Sequence, residues 1–257
     1  MAALYDRIGR TYASSRTPDP RIAARIRAAI GDAPGGVVNV GAGAGAYEPA
    51  DLDVVAIEPS ATMSAQRPAG DRARVIQASA EALPLADDSV DVAMAILSDH
   101  HWTDRAAGLR ELARVARRRV VLCNDEPGTH ERFWLTRDYL PSFLDLVPER
   151  YRTHPGLWRA ELAELLGGTL TVHEVPIPHD CQDGFYRAFW RRPEAYINPE
   201  IRDNISVFRK LPPKDVAAAV RRLGEDLDSG VWRERNAELL GREVHDVGLR
   251  VVVAELG

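Results

Sequence analysis

The sequence predicts an α/β fold built on a doubly wound, parallel sheet. Short runs of β-branched residues alternate with segments of about 15 to 25 residues, the spacing of right-handed crossovers between parallel strands. The runs are apolar on both faces, as in strands that helices cover on either side. The first run also leads directly into a series of glycines, an arrangement typical of a ligand-binding turn at a strand end.

Seven runs have the character of buried strands. They lie at residues 37–40, 54–57, 75–76, 90–96, 120–123, 170–175 and 249–253. Ordered along the chain, they predict a single sheet whose last strand follows a long, mostly helical insertion.

Two helices have clear sequence signals. Asp19-Pro20 is a capping residue followed by proline, and Gly31 closes the element. Apolar residues repeat along one face of this helix at Ile22, Ile26 and Ile30. A second helical stripe, between the fourth and fifth strands, consists of Leu109, Leu112, Ala113 and Ala116.

Composition excludes several classes of protein. The 257 residues include 33 basic and 38 acidic side chains, and the net charge of −5 argues against nucleic acid as the main partner. No apolar run is long enough to span a membrane, and the first residues lack the pattern of a secretory signal. Cys123 and Cys181 are the only cysteines, which favours the cytoplasm and excludes a disulfide framework or a multi-cysteine zinc site. Only Lys210 and Lys214 are lysines, and this arginine bias favours a bacterium with GC-rich codons.

The glycine-rich turn predicts a nucleoside-containing ligand. Gly41, Gly43 and Gly45 follow the first strand, where glycine permits a sharp turn and a close approach of the ligand. Glu58 ends the second strand, next to this turn, where a carboxylate can accept hydrogen bonds from both hydroxyls of a ribose.

The turn alone leaves the identity of the ligand open. The pattern from Gly41 through Gly43 to Ala46 also satisfies the G-x-G-x-x-A fingerprint of dinucleotide-binding proteins, so an NAD(P)-dependent oxidoreductase is an alternative. No Tyr-x-x-x-Lys pair supports it, and both lysines are expected far from the active edge of the sheet.

Five segments carry a family resemblance. They read VNVGAGAG at 38–45 with IEPS at 57–60, AEALPLADDSVD at 80–91, HHW at 100–102 and LRELARV at 109–115. In this order they resemble the motifs of class I S-adenosylmethionine-dependent methyltransferases, in particular the small-molecule, type 11-like group. The resemblance covers roughly residues 35–125.

The resemblance implies a Rossmann-like domain. Its sheet would be a mostly parallel, seven-stranded one with an antiparallel last strand and a helical cap insertion. Within one domain, 1–257, we expect an N-terminal lid at 1–20 and a cofactor-binding core at 21–125. A helical cap that selects the substrate would occupy 126–168 and 180–246, before the final strand at 247–257.

The same resemblance implies a site for S-adenosylmethionine, with S-adenosylhomocysteine as product. Gly41, Ala42, Gly43 and Gly45 would contact its methionine part, and Glu58 would hold the ribose. Pro59 and Ser60 would border the adenine, whose edge would meet the backbone around Ser79, Ala80 and Glu81. Leu97 would lie beside the sulfonium, and Tyr12 would cover the cofactor from the lid.

Two positions depart from the family pattern. Asn39 stands where the first motif usually has an acid, and Ser79 stands where an aspartate often precedes the AE pair. Each substitution replaces a carboxylate with a neutral hydrogen-bonding group. They leave open a second alternative, a cyclase or regulator that binds the cofactor without transferring its methyl group.

Candidate bases come from two segments. His100, in Asp99-His100-His101, follows the fourth strand, and His179 stands beside Asp180, which could orient its ring. The structural interpretations are that His101 secures the following loop and that residues 178–185 form a turn capping a helix. The sequence predicts no metal site.

Aromatic residues of the presumed cap favour an apolar acceptor pocket. They are Phe133, Trp134, Tyr139, Phe143, Phe185, Tyr186, Phe189, Trp190 and Tyr196. The hypothesis is a cytoplasmic bacterial methyltransferase of secondary metabolism, acting on a small hydrophobic or aromatic acceptor and on neither nucleic acid nor membranes. The sequence does not distinguish methylation at O, N, C or S, and it does not indicate the oligomeric state.

Overall fold

A computed structural model describes residues 17–68, 70–154 and 156–257 of the chain. The predicted lid and Tyr12 therefore lie outside the described residues, apart from residues 17–20. The nine strands of the described ranges are β1 Val37–Val40, β2 Val54–Ile57, β3 Arg74–Ile76, β4 Val90–Ile96, β5 Ala116–Asp125, β6 Thr169–Glu174, β7 Ile177–Pro178, β8 Val244–His245 and β9 Leu249–Glu255.

Seven of these strands form one sheet in the order β3-β2-β1-β4-β5-β9-β6. The strands from β1 to β5 pair in parallel, and β9 runs antiparallel between β5 and β6. The prediction of a mostly parallel, seven-stranded sheet with an antiparallel last strand is confirmed. Since β1 and β4 are neighbours whose connections leave in opposite directions, their carboxyl ends form the crevice where ligands bind in such sheets.

The helices within the described ranges are α1 Pro20–Ile30, α2 Ala61–Ser64, α3 Arg105–Val115, α4 Glu149–Thr153, α5 Leu157–Leu166, α6 Pro199–Asp203, α7 Pro213–Asp228, α8 Val231–Arg235 and α9 Ala237–Leu240. Helix α1 begins as predicted, because Asp19 accepts a hydrogen bond from the Arg21 amide. Its three isoleucines are buried. Helix α3 ends at Val115, so Ala116, predicted as part of its stripe, belongs instead to β5.

Strand β5 is longer than its apolar run. It begins at Ala116 and includes three arginines, Arg117, Arg118 and Arg119, which precede the apolar run at 120–123. Arg117 forms an ion pair with Asp91 and Arg119 forms one with Glu255. Carboxylates of the neighbouring strands therefore neutralise the charges of these two arginines.

The segment after β5 is made of short, irregular turns rather than long helices. It contains 3₁₀ turns at Pro127–Arg132 and Pro141–Leu146 and a π turn at Leu135–Tyr139 before α4 and α5. A second irregular region carries 3₁₀ turns at Pro193–Tyr196 and Ser206–Arg209. Strands β7 and β8 pair antiparallel, so this insertion leaves and rejoins the domain at one point.

Apolar side chains cover both faces of the sheet. One cluster joins α1 to the aromatic residues of the irregular segments, and the other packs α3 and α5 on the opposite face. None of the helices within the described ranges combines the length and the apolar character needed to cross a membrane.

Candidate functional site

The glycine turn after β1 depends on backbone shapes that other residues rarely adopt. Gly41, Gly43 and Gly45 have φ values of 71°, 54° and 85°. A Cβ atom at Gly41 would also lie 2.6 Å from the Cβ of Ser98, so the turn is pressed against the end of β4. Ala42, between the first two glycines, is buried. The turn is therefore a tight cradle that only these glycines permit.

Glu58 lies at the end of β2 and is only 5% exposed. Its Oε2 accepts from the Gly43 amide at 2.7 Å, and its Oε1 accepts from the Ser60 amide at 2.8 Å. The carboxylate is thereby fixed against the glycine turn, in the position predicted for a ribose partner. Ser60 is buried and caps α2, whereas Pro59 is exposed.

No helix follows the glycine turn before β2. Residues 41–53, all of them described, form turns and bends. A dinucleotide fold binds its pyrophosphate at the N-terminus of the helix that starts in this turn. Because residues 41–53 form no such helix, the G-x-G-x-x-A match does not build a pyrophosphate site.

Although Asn39 is not an acid, its side chain is hydrogen-bonded to a carboxylate from another part of the turn. Its Nδ2 donates to Glu48 Oε1 at 2.9 Å, and Glu48 forms an ion pair with the buried Arg67, which packs over Gly45. Asn39 Oδ1 and Arg67 Nη1 are buried without a hydrogen-bond partner among the described residues. These two polar atoms beside the turn can thus form hydrogen bonds with a ligand or with residues outside the described ranges. The sequence had indicated neither Glu48 nor Arg67.

The predicted adenine segment after β3 is anchored to the start of α3. Ala80 is buried and Ser79 is exposed, while Glu81 Oε1 accepts from the amides of Thr103 and Asp104 at 2.8 and 3.2 Å. Burial raises the pKa of Glu81, but hydrogen bonds from backbone amides and from Ser79 outweigh it and lower that pKa. Glu81 therefore holds the loop that carries Ala80.

Leu97 directly follows β4 and has a strained conformation. Its φ is 53°, unusual for leucine, and its amide donates to the Cys123 carbonyl at 2.7 Å. The side chain lines a cavity at the carboxyl ends of β4 and β5. Such strain is retained where the surroundings impose it, often beside a functional site.

The cavity has a volume of about 350 Å³, the size of a small-molecule site. Its apolar wall includes Phe143, Val147, Tyr151, Trp158, Phe185 and Tyr186. Three of the predicted cap aromatics, Phe143, Phe185 and Tyr186, are among them. The other six are buried in the core instead, as Trp134 illustrates by donating to the Trp190 carbonyl at 2.8 Å.

The 3₁₀ turn at Asp99–His101 places both histidines of the pair at this cavity. The centroids of their rings lie 3.9 Å apart, and His100 is exposed. Lys210 Nζ is 3.3 Å from His101 Nδ1 and also lines the cavity. The expectation that both lysines lie far from the active edge is therefore wrong, because the irregular turn at Ser206–Arg209 brings Lys210 there.

Paired polar side chains form the floor at the end of β5. Asn124 donates to the buried Asp99, which also accepts from Arg105 Nε at 2.8 Å. Next to them, Asp125 Oδ1 lies 2.6 Å from Nη2 of the buried Arg187. The polar run directly after the fifth strand is the sequence signal that could have identified this floor.

His130 is a further cavity residue that the sequence did not indicate. It is 8% exposed, and its Nδ1 is buried without a hydrogen-bond partner among the described residues. Burial, together with the nearby Arg187, holds the pKa of His130 well below its usual value. The imidazole is therefore neutral at physiological pH, with one donor and one acceptor nitrogen.

His179 does not lie at the cavity. Its Nε2 is 3.3 Å from Glu243 Oε2 at the β7–β8 ribbon, and Asp180 pairs with Arg21 rather than orienting its ring. Burial raises the pKa of Cys181 to about 12, consistent with a packing role. Within the described ranges, no three histidine, cysteine, aspartate or glutamate side chains are grouped as metal ligands would be.

The segment around Cys181 is instead tied to the glycine turn. Tyr47, two residues after Gly45, has a φ of 65° and is buried. Its hydroxyl donates to Asp183 Oδ2 at 2.8 Å and accepts from the Asp19 amide at 3.3 Å. Asp19 in turn accepts from the Gln182 amide at 3.1 Å. These buried contacts join α1, the glycine turn and residues 182–183.

Comparison with known proteins agrees with this architecture. The methyltransferase domain family matches residues 38–123. A solved structure described as a methyltransferase from an antibiotic biosynthesis pathway of Anabaena variabilis ATCC 29413 is 30% identical. The match covers 94% of this chain and 99% of that one, with a TM-score of 0.83. No curated protein matches the sequence.

Two more distant structures share the fold alone. A methyltransferase in complex with the Haloferax volcanii Trm112 activator is 14% identical, with coverage of 98% and 95% and a TM-score of 0.56. The [4+2]-cyclase SpnF is 15% identical, with coverage of 98% and 94% and a TM-score of 0.56.

The fold and the glycine site define a nucleoside-binding α/β protein, and the relatives identify its family. The chain belongs to the class I S-adenosylmethionine-dependent methyltransferases. The residues at the turn fit that cofactor, because the glycine cradle leaves no room for a side chain and Asn39 Oδ1 is an acceptor beside it that no described residue satisfies.

Proposed function

We propose that this protein transfers a methyl group from S-adenosylmethionine to a small, hydrophobic or aromatic acceptor in bacterial secondary metabolism, in the cytoplasm. The observation that carries the proposal is the cavity of about 350 Å³ beside Leu97 and His100, at the same sheet edge as the glycine turn. A pocket of this size and lining suits an acceptor that is a small molecule rather than a macromolecule.

The cofactor would be held mainly by backbone geometry. Gly41, Ala42, Gly43 and Gly45 would contact its methionine part, and Glu58 would bind the ribose. Pro59, Ser60, Ser79, Ala80 and Glu81 would frame the adenine, with Tyr12 covering it from the lid. When bound, the cofactor supplies a sulfonium-activated methyl carbon.

The chain's own contribution is positioning and exclusion of water. The aromatic wall and Leu97 would desolvate the reacting atoms and fix the acceptor in line with the methyl carbon. His100 is our candidate base for an acceptor that must lose a proton, since it is the exposed histidine at the cavity. We do not propose this role for His179, because it does not line the cavity and its ring contacts Glu243.

The first experiment is calorimetric titration with S-adenosylmethionine, S-adenosylhomocysteine and NADH in parallel. We expect micromolar binding of the first two and none of NADH, since residues 41–53 provide no helix N-terminus for a pyrophosphate. Binding of NADH alone would refute the assignment.

The second experiment follows the transfer itself. Incubation with methyl-labelled S-adenosylmethionine and a library of small aromatic acceptors should transfer label to at least one compound. Cofactor binding with label transferred to no compound would favour the alternative, a non-methylating cyclase or regulator of the same fold.

A further inference from the structure

The charged side chains around the cavity do not cancel. Asp125 is neutralised by Arg187, and Arg105 is neutralised by Asp99. Lys210 lines the same cavity and forms no ion pair with any carboxylate of the described residues. Within the described part of the chain, the cavity therefore carries one uncompensated cation, although the chain as a whole has a net charge of −5.

The surroundings of Lys210 favour the binding of an anion to its ammonium group. Part of the side chain is exposed, but its ammonium lies 3.3 Å from His101 Nδ1, and desolvation by the protein lowers its pKa. A partly desolvated ammonium without a counter-ion gains more from a bound anion than a fully hydrated lysine does.

His130 adds a second, neutral polar group to the wall. It is more than nine-tenths buried, and its Nδ1 has no hydrogen-bond partner among the described residues. Its ring meets Phe143 edge-on, with centroids 4.9 Å apart at 81°. A neutral imidazole held in this way can exchange one hydrogen bond with a ligand without adding charge.

The remaining wall recognises flat, apolar groups. Phe143 and Tyr186 stack with their ring centroids 4.7 Å apart and their planes at 12°. Tyr151 and Trp158 border the same space. Such faces favour an aromatic ring system over a flexible polar chain.

We propose that the acceptor is an aromatic acid, a planar ring system that bears a carboxylate and a further polar group such as a phenolic hydroxyl. The carboxylate pairs with the Lys210 ammonium, and the further polar group hydrogen-bonds with His130. This assignment rests on the proposed function, since it names the acceptor class of the same cavity.

The test compares ligands that differ only in their acidic group. In the presence of saturating S-adenosylhomocysteine, calorimetry measures the affinity for 2-naphthoate and for its neutral amide, 2-naphthamide. We expect 2-naphthoate to bind at least about tenfold more tightly. The Lys210→Met variant should lose this preference, and the matched control Lys214→Met, which alters the exposed lysine of α7, should keep it.

A second pair of probes examines His130. The native protein should prefer 2-naphthol to 2-methoxynaphthalene, and His130→Phe should reduce affinity for 2-naphthol about tenfold while changing that for the ether little. Unchanged S-adenosylhomocysteine binding by the variant shows that it is folded.

Equal affinity for the acid and the amide would overturn the proposal. Failure of both 2-naphthoate and 2-naphthol to bind at millimolar concentration would also overturn it, as would an equal effect of Lys210→Met and Lys214→Met. Each of these outcomes is separate from loss of S-adenosylhomocysteine binding, which would contradict the proposed function itself.

Discussion

The glycine turn at residues 41–45 and the cavity, whose lining residues fall between Leu97 and Lys210, lie at the same edge of the sheet. They are nevertheless formed by different kinds of contact. The turn uses backbone shapes and one carboxylate, Glu58, all contributed by residues close in sequence to β1 and β2. The cavity uses side chains such as His130, Tyr186 and Lys210, which come from distant, irregular segments. In the proposed function, a ligand common to many enzymes is held by the geometry of a strand end, and the variable ligand by residues that can change without altering the sheet.

The largest expected effect is on cofactor affinity and concerns Glu58, which contacts the glycine turn and does not line the cavity. Glu58→Ala should weaken S-adenosylmethionine binding about a thousandfold, because the proposed role of Glu58 gives it two charge-assisted hydrogen bonds to the ribose. Calorimetry measures it, with Glu164→Ala on the exposed side of α5 as the control. An unchanged affinity in Glu58→Ala would remove Glu58 from the cofactor site.

A second change tests whether the turn depends on backbone alone. Gly41→Ala should lower the free energy of unfolding by about 3 kcal/mol, since it adds a steric clash with Ser98 to the cost of a positive φ. Gly230 has a φ of 82°, and no atom of the described residues lies within 4 Å of the place a Cβ would take, so Gly230→Ala should cost only about 1 kcal/mol. Urea unfolding that gives equal losses would show that Ser98 does not constrain the turn.

A third change acts on the cavity and leaves the turn intact. His100→Ala should reduce turnover of an identified acidic or phenolic acceptor about a hundredfold and remove the acid limb of the pH profile, because a histidine base is protonated there. His179→Ala, at the β7–β8 ribbon, serves as the matched control and should match the parent. A parental rate and profile in His100→Ala would exclude it as the base.

The smallest effect concerns Asp19, which is hydrogen-bonded to Tyr47, two residues after the glycine turn, and to the Gln182 amide. Burial alone would raise its pKa, but hydrogen bonds from the Arg21 side chain and from the Gln182 and Arg21 amides lower it to about 2. A lowered pKa stabilises the fold at pH values above that of the unfolded carboxyl, 3.8, and this contribution is lost as the pH falls toward 2.

Asp19→Asn should therefore cost about 2 kcal/mol at pH 7, and the difference should shrink between pH 4 and about pH 2. Urea unfolding at several pH values measures it, with the exposed Asp53→Asn as the control. A difference independent of pH would mean that the Asp19 charge does not contribute.

Much of the sheet and the cofactor edge could be predicted because both are local in sequence. The apolar runs, the glycines and Glu58 each have a recognisable pattern, and α1 follows from Asp19-Pro20 and its isoleucines. Ala116 is an exception to this local predictability. Its spacing is helical, but it belongs to β5, where it pairs with Val90. Tertiary pairing there overrides a local preference.

The acceptor cavity could not be predicted in the same way. Lys210 and His130 are 80 residues apart, and each lies in a 3₁₀ turn or just after one, where no periodic pattern marks a face. Glu48 illustrates the same difficulty, because only the folded turn shows that it reaches Asn39. Contacts between distant, irregular segments leave no trace in spacing or composition.

The tyrosine between the two regions has a thermodynamic consequence. Tyr47 joins the glycine turn to Asp183, three residues before Tyr186 in the cavity wall. If cofactor binding tightens the turn, the wall shifts with it, and the two ligands bind cooperatively. Linkage then requires reciprocity: the acceptor strengthens cofactor binding by the same factor by which the cofactor strengthens acceptor binding. The buried phenol would thus make the strength of this coupling a property of the fold, equal whichever ligand binds first.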